Sequence, residues 1–222
     1  MFQIDKLIYR EPNFLSKENC NRLINSFYKD EAMYETSAHA ITKENLQSSF
    51  EAYSITPDKK EAFNFIKKAT NQALNNYWKY LKSSGNFHYS AGESLRYSHK
   101  YRILKYNIGA SIHPHIDFSP FTYASIVFNL NEDYKGGEFS FFNGKFDLNL
   151  KQGELMIFPA SPFWVHEVKK ITEGTRYSVN SFILGLPVEI KDKLLKDAVT
   201  QEQEYLNKVP FNKILGPYKI DN

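Results

Sequence analysis

His115-Ile116-Asp117 is followed, after 48 intervening residues, by a lone His166, and Arg176 stands ten positions beyond that. Two histidines and one carboxylate make the three-ligand face that suits non-haem iron(II) and leave three coordination positions open. The spacing also predicts local structure. On an extended strand side chains alternate, so residues 115 and 117 share one side and can grip one ion, while Ile116 points away into a hydrophobic layer. A second strand must bring His166 across. Arg176 suits a different task, because its planar, permanently charged fork can bind a carboxylate through two parallel hydrogen bonds. HxD alone is a weak pattern, since hydrogen-bonded core histidines produce it in unrelated proteins, and its surroundings decide its meaning.

Those surroundings are strands. From about residue 98 short apolar-rich segments alternate with turn signals, and eight are predicted: 99–107, 111–117, 122–130, 137–142, 145–150, 154–159, 164–170 and 175–184. Asn143-Gly144 predicts a hairpin because both residues tolerate positive φ, and Gly136-Gly137, Gly153 and Gly174 punctuate other turns. Eight strands so spaced predict a double-sheet jelly roll or closed barrel. Upstream, Ser16 is a candidate N-cap with Leu15 as staple for a helix to about residue 31. Residues 32–47 are polar and carry no assignment, and 49–55 reads as a strand. Thr56-Pro57-Asp58 is expected to open a second helix. Its stripe of Phe63, Ile66, Ala69, Leu74, Tyr77, Trp78 and Leu81 predicts core packing up to a stop at Gly85. A third helix is expected from after Leu186-Pro187 to about Tyr205, then an irregular tail over 208–222.

The 222 residues suit one domain. Its expected parts are a helical support region over 1–97, a strand-rich core over 98–186, and a helix with tail over 187–222. The net charge of +3 is spread in short pairs such as Lys59-Lys60 and Lys169-Lys170, which argues against a nucleic-acid track. A single cysteine, Cys20, excludes an internal disulfide framework and fits a reducing compartment. With no basic-then-apolar leader and no run of about eighteen apolar residues, a soluble, cytoplasmic protein without membrane partners is expected.

Further motifs fall in a fixed order. Tyr106-Asn107-Ile108-Gly109 precedes His113-Pro114-His115-Ile116-Asp117; Ser125 to Phe139 contains Asn129-Leu130-Asn131 and Gly136-Gly137-Glu138; Gly153 to Pro159 leads into Trp164-Val165-His166; and Gly174-Thr175-Arg176-Tyr177-Ser178 closes the series. In this order, from about Tyr101 to Leu184, the chain resembles the prolyl 4-hydroxylase-like branch of the iron(II) and 2-oxoglutarate dependent dioxygenases. The resemblance implies an α+β, mainly β fold: a double-stranded β-helix (jelly-roll, cupin-like), with N-terminal helices packed on one sheet and a C-terminal helix. It implies that His115, Asp117 and His166 bind iron and that Arg176 binds the distal carboxylate of 2-oxoglutarate. Ser178 is expected to donate to the same carboxylate, and Tyr106 to reach the cosubstrate. Asn129 replaces a tyrosine that helps hold that carboxylate in many relatives. His113, Trp164 and Asn180 are the candidate substrate-binding residues; for Trp164 core packing is the competing reading, and His113 replaces a common aromatic. Phe158-Pro159 reads as a strand end.

The implied cofactors are Fe(II), 2-oxoglutarate and O2, with ascorbate as a candidate reductant. Such chemistry needs no catalytic residue beyond the metal ligands, because the cofactor performs it and the protein positions a C–H bond. Three functions stay open: hydroxylation of a prolyl residue in a peptide or protein, hydroxylation of a free amino acid or other small metabolite, and a non-catalytic metal-binding jelly-roll module. Nucleic-acid demethylation is disfavoured because Phe182 stands where such relatives carry a second arginine. The oligomeric state is not legible.

Overall fold

The computed structural model describes residues 4–29, 35–36, 50–85, 95–117, 122–185 and 218–219. Its strands, in chain order, are β1 (Tyr9–Glu11), β2 (Glu35–Thr36), β3 (Glu51–Ser54), β4 (Leu95–Tyr106), β5 (Ile112–His115), β6 (Thr122–Asn129) and β7 (Lys135–Gly136). There follow β8 (Phe139–Phe141), β9 (Phe146–Leu148), β10 (Leu155–Pro159), β11 (His166–Val168), β12 (Ile171–Glu173), β13 (Arg176–Gly185) and β14 (Tyr218–Lys219). Among the described residues the α-helices are α1 (Lys17–Lys29) and α2 (Lys60–Ser83), preceded by a short 3-10 helix at Ile4–Leu7. The major sheet runs β1-β10-β6-β13-β4-β3-β2, with β14 also on β4, and the minor sheet runs β5-β11-β8-β9. Every pairing is antiparallel. Two facing antiparallel sheets with sequence-distant neighbours make a jelly roll.

Period-2 alternation in the major sheet serves two cores at once. Ile126 and Phe128 of β6, Leu155 and Ile157 of β10, Ile103 of β4 and Val179 of β13 face the helices, packing with Leu23 and Phe27 of α1 and Ile66, Leu74 and Tyr77 of α2. Their neighbours Val127, Met156, Phe158, Leu104 and Tyr106 face the minor sheet, packing with Phe139, Phe141 and Val168. The second core is where a site can lie, since strands converge there from both sheets.

Local chemistry sets the helix ends. The Asn19 amide donates to Ser16 Oγ at 3.2 Å, and Leu15 is buried beneath, as the cap and staple predict. The second helix begins later than expected, at Lys60, because the Thr56 hydroxyl bonds the Asp58 carboxylate and Lys59 N–H bonds the Thr56 carbonyl, closing a turn first. Gly85, at φ +70°, ends α2. The Asn143-Gly144 turn is wider than a two-residue loop. Phe141 pairs with Phe146, and Phe142 joins Asn143 at positive φ, which lays its ring against Trp164 at 5.2 Å. The expected third helix (187–205), residues 118–121 and most of 32–47 and 208–222 lie outside the described residues.

Candidate active site

β5 and β11 lie side by side with His115 directly opposite His166, their ring centroids 4.3 Å apart, and Asp117 follows just beyond β5. Asp117 Oδ1 is 3.4 Å from His115 Nε2, and Asp117 Oδ2 is 3.3 Å from His166 Nε2. One donor atom from each residue lies within 4.8 Å of the others, close enough to hold one metal ion. Both imidazoles are oriented from behind. His115 Nδ1 meets its neighbour His113's carbonyl at 2.8 Å, and His166 Nδ1 meets the Trp164 carbonyl at 3.0 Å. Donation from Nδ1–H leaves each Nε2 lone pair aimed at Asp117 and free for a metal. Phe139 stacks on His166 at 5.7 Å and 14°, while Phe158 meets it edge-on at 4.8 Å.

Electrostatics in the trio are strongly coupled. Burial by itself would lower the His115 pKa, yet the adjacent Asp117 more than reverses this and raises it. Burial would raise the Asp117 pKa, yet His166 and His115 hold its carboxyl well below the usual range. Ser125 of β6 adds a hydrogen bond of 2.7 Å to Asp117 Oδ2.

The triad opens into a cavity with about 390 Å³ free of protein atoms, its mouth included, bordered by Leu104, Tyr106, Val127, Ser178, Asn180 and Phe182 among others. Arg176 starts β13 opposite Tyr106, its guanidinium 5.0 Å from the Tyr106 ring and 5.8 Å from that of Phe139. It is 1% exposed, and none of its three side-chain nitrogens has a hydrogen-bond partner. A buried cation so placed calls for an anion. Gly137, at φ +70°, makes room for it, since a Cβ there would lie 3.1 Å from Arg176 Cδ. Burial raises the Tyr106 hydroxyl pKa, with the nearby Arg176 and Arg102 pulling the other way. These donor sets fit the implied groups: the trio an iron(II) ion, Arg176 a carboxylate.

The remaining expected residues are placed as follows. Ser178 and Asn180 border the cavity beside Arg176, and Asn180 Oδ1 accepts from Arg102 Nε at 3.3 Å. Asn129 lies opposite Ser178, but its amide donates to the Asn131 and Leu150 carbonyls at 2.7 and 3.0 Å, so its NH2 is committed to backbone. His113 sits at a bulge. The register passes from His166↔His115 to Val168↔Ile112, and Ile112 borders the cavity. Trp164 is buried against Phe141 and Phe142, away from the cavity lining, and serves His166 through its carbonyl. Spacing did not single out Ser125, although a serine two residues before Val127 on an inward face was a readable signal. Phe139 and Phe158 reach His166 only through sheet packing. A larger groove between α1 and the start of α2, bordered by Arg22, Glu61 and Phe65, contains none of the trio.

Residues 101–184 match the family model of the 2OG-Fe(II) oxygenase superfamily. A search of curated protein sequences returned no match. Among solved structures, the viral collagen prolyl hydroxylase of Paramecium bursaria Chlorella virus-1, in complex with 2OG, superposes with a TM-score of 0.58 at 18% identity, covering 82% of this chain and 97% of that one. A Trichoplax adhaerens prolyl hydroxylase, in complex with a hypoxia inducible factor oxygen degradation domain peptide fragment, gives 0.61 at 15% identity, covering 81% and 84%. A Pseudomonas putida prolyl-4-hydroxylase gives 0.58 at 18%, covering 82% and 94%. Residues 101–184 thus match the 2OG-Fe(II) oxygenase superfamily model, and the fold is shared with prolyl hydroxylases.

Proposed function

We propose that this iron(II) and 2-oxoglutarate dependent oxygenase hydroxylates a prolyl residue of a peptide or protein. In this reading His115 Nε2, Asp117 and His166 Nε2 hold the metal, and Arg176, with Ser178 and Tyr106 beside it, takes the distal carboxylate of the cosubstrate. When bound, iron and 2-oxoglutarate supply oxidative decarboxylation coupled to C–H hydroxylation. The chain's own tasks are positional. Trp164 and His113 carbonyls fix the imidazoles, Ser125 fixes Asp117, and Phe139, Phe158 and Val127 wall the trio from water. Among the described residues that border the cavity, only the trio and the Tyr106 phenol ionise, in keeping with chemistry that needs no protein acid or base.

The observation that carries the reading is Arg176, a buried guanidinium with three unpartnered nitrogens, 5.0 Å from the ring of Tyr106, which borders the metal cavity. A metal-binding module without turnover has no use for it. The prolyl assignment is supported by the fold likeness to prolyl hydroxylases, one of them bound to a peptide fragment. To test it, succinate release is measured with Fe(II), ascorbate and 2-oxoglutarate over a panel of prolyl peptides, free L-proline and other amino acids, with mass spectrometry for a gain of one oxygen. Oxygen gain on prolyl peptides supports the proposal. Oxygen gain on free amino acids alone replaces it with a small-metabolite hydroxylase, and absence of 2-oxoglutarate turnover replaces it with a binding module.

A further inference from the structure

Arg102 is a cation beside residues that border the cavity, and the reaction does not require it. Along β4 it shares the alternation of Leu104 and Tyr106, both of which border the cavity, while Tyr101 and Ile103 turn to the helix-facing core. Across the ladder its partner is Asn180, whose Oδ1 accepts from Arg102 Nε at 3.3 Å, and its guanidinium lies 6.0 Å from the Phe182 ring. Asn180 and Phe182 both border the cavity.

Three observations set this arginine apart. The first is that it has no carboxylate partner among the described residues, whereas Arg10 pairs with Glu154, Lys105 with Glu51, Lys135 with Glu173 and Lys169 with Asp147. Only Nε is engaged, so both Nη groups keep their donors. The second is a β-bulge right beside it. The register steps from Asn180↔Arg102 to Phe182↔His99, and Lys100 takes φ +60° within the extra stretch. Bulges re-aim side chains next to sites, and left-handed non-glycine residues cluster there. The third is the charge balance of the loaded cavity. Iron(II) offsets a dianionic cosubstrate, and Asp117 offsets Arg176. Among the described residues no other acid borders the cavity, so Arg102 is left as the uncompensated charge, and its influence reaches the Tyr106 hydroxyl.

We propose that Arg102, positioned by Asn180 and Phe182, anchors a carboxylate of the substrate, so that the preferred substrate bears an acidic group beside the carbon to be hydroxylated. The inference rests on the hydroxylase reading above. The carboxylate has two sources: a Glu or Asp side chain flanking a prolyl residue, or the free carboxylate of a small amino acid.

The test uses the full chain loaded with Mn(II) and 2-oxoglutarate, so that binding is read by calorimetry without turnover. The probes are matched pairs: acetylated, amidated tripeptides with Glu or Gln before or after Pro, and L-proline against L-prolinamide. One carboxylate probe is expected to bind at least about tenfold more tightly than its amide twin, as fits a charge-assisted hydrogen bond. Which pair shows the preference identifies the source. Arg102→Gln is expected to bring the twins within about twofold while leaving 2-oxoglutarate affinity within about twofold, and Arg102→Lys to keep part of the preference. No preference in the parent, a preference surviving Arg102→Gln, or a loss of 2-oxoglutarate affinity in that variant each overturns the proposal. Should Arg102→Gln not fold, the parent's twin comparison and Arg102→Lys decide it: no preference, or a preference unaltered by lysine, overturns it. Substrate-free succinate formation by the parent reports separately on the underlying hydroxylase reading.

Discussion

Replacing Arg176 with methionine should stabilise the protein in the absence of cosubstrate and abolish its response to cosubstrate. The guanidinium is 1% exposed with three unpartnered nitrogens, and an unmatched buried charged group costs about 1–3 kcal/mol or more. Its contacts with the Tyr106 and Phe139 rings at 5.0 and 5.8 Å return part of this, on the order of 0.5–2 kcal/mol each. Apolar replacements of buried charges are commonly neutral or stabilising by about 1–4 kcal/mol, so a net gain of roughly 1–2 kcal/mol is expected here. For a chain of this size that is a rise in Tm of about 2–8 °C. Adding 2-oxoglutarate at a hundred times its Kd should stabilise the parent by about 2.7 kcal/mol and the variant not at all. The ranking of the two proteins therefore reverses on addition. Thermal unfolding with Mn(II) present, with and without 2-oxoglutarate, measures both numbers. A variant destabilised by several kcal/mol without cosubstrate would show Arg176 to be a structural residue, and an undiminished shift with cosubstrate would remove it from the carboxylate site.

Four other outcomes are expected. His115→Ala and Asp117→Ala each should lose metal binding and succinate formation, and parental turnover in both would sink the ligand assignment. Ser125→Ala removes the 2.7 Å bond to Asp117 Oδ2 and should weaken Mn(II) binding by about 10–100-fold, with an unchanged titration refuting that role. Gly137→Ala puts a side chain at φ +70° and 2.5 Å from Ile171 Cδ1. Backbone strain of about 1–2 kcal/mol and overpacking of about 1–3 kcal/mol should lower Tm and weaken 2-oxoglutarate binding, and a variant matching the parent in both would show that the gap at Arg176 is not tight. Burial pushes the Cys20 thiol up to about 11 from its ordinary 9.0. The neutral thiol is favoured in the fold, so this stability is whole below pH 9 and is lost as pH rises through about 11. Native protein at pH 8 should react with a thiol reagent only as fast as it opens, and rapid labelling without unfolding would contradict that placement.

The trio and the two-sheet architecture were legible because both are written in strict periods. His-x-Asp reads the strand repeat directly, and Ile126, Val127 and Phe128 alternate between cores as a two-sided strand must. Ser16 was legible as a cap because capping is local. What escaped reading depends on partners far along the chain. Asn129 drew notice only as the replacement of a tyrosine in the resemblance, and the bonds of its NH2 to the Asn131 and Leu150 carbonyls carry no sequence signal. His113 stands in β5 where the register shifts against β11, an irregularity of an edge strand that also accommodates Pro114. The three-residue strand β1 is too short for any periodic signal and exists because β10 offers it an edge. Arg102 drew no attention because its significance lies in the acid it lacks.

The two-sided strands of the major sheet have an evolutionary consequence. On β4 and β13, Ile103, Val179 and Ile183 contact the helices, while Ser178, Asn180 and Phe182 border the cavity and Arg102 pairs with Asn180 across the ladder. Stability and substrate choice are thus encoded on interleaved residues of one segment, and sites on opposite faces without shared partners vary nearly independently. Lineages can diversify what enters the cavity by changing every second residue, while the intervening ones preserve the fold.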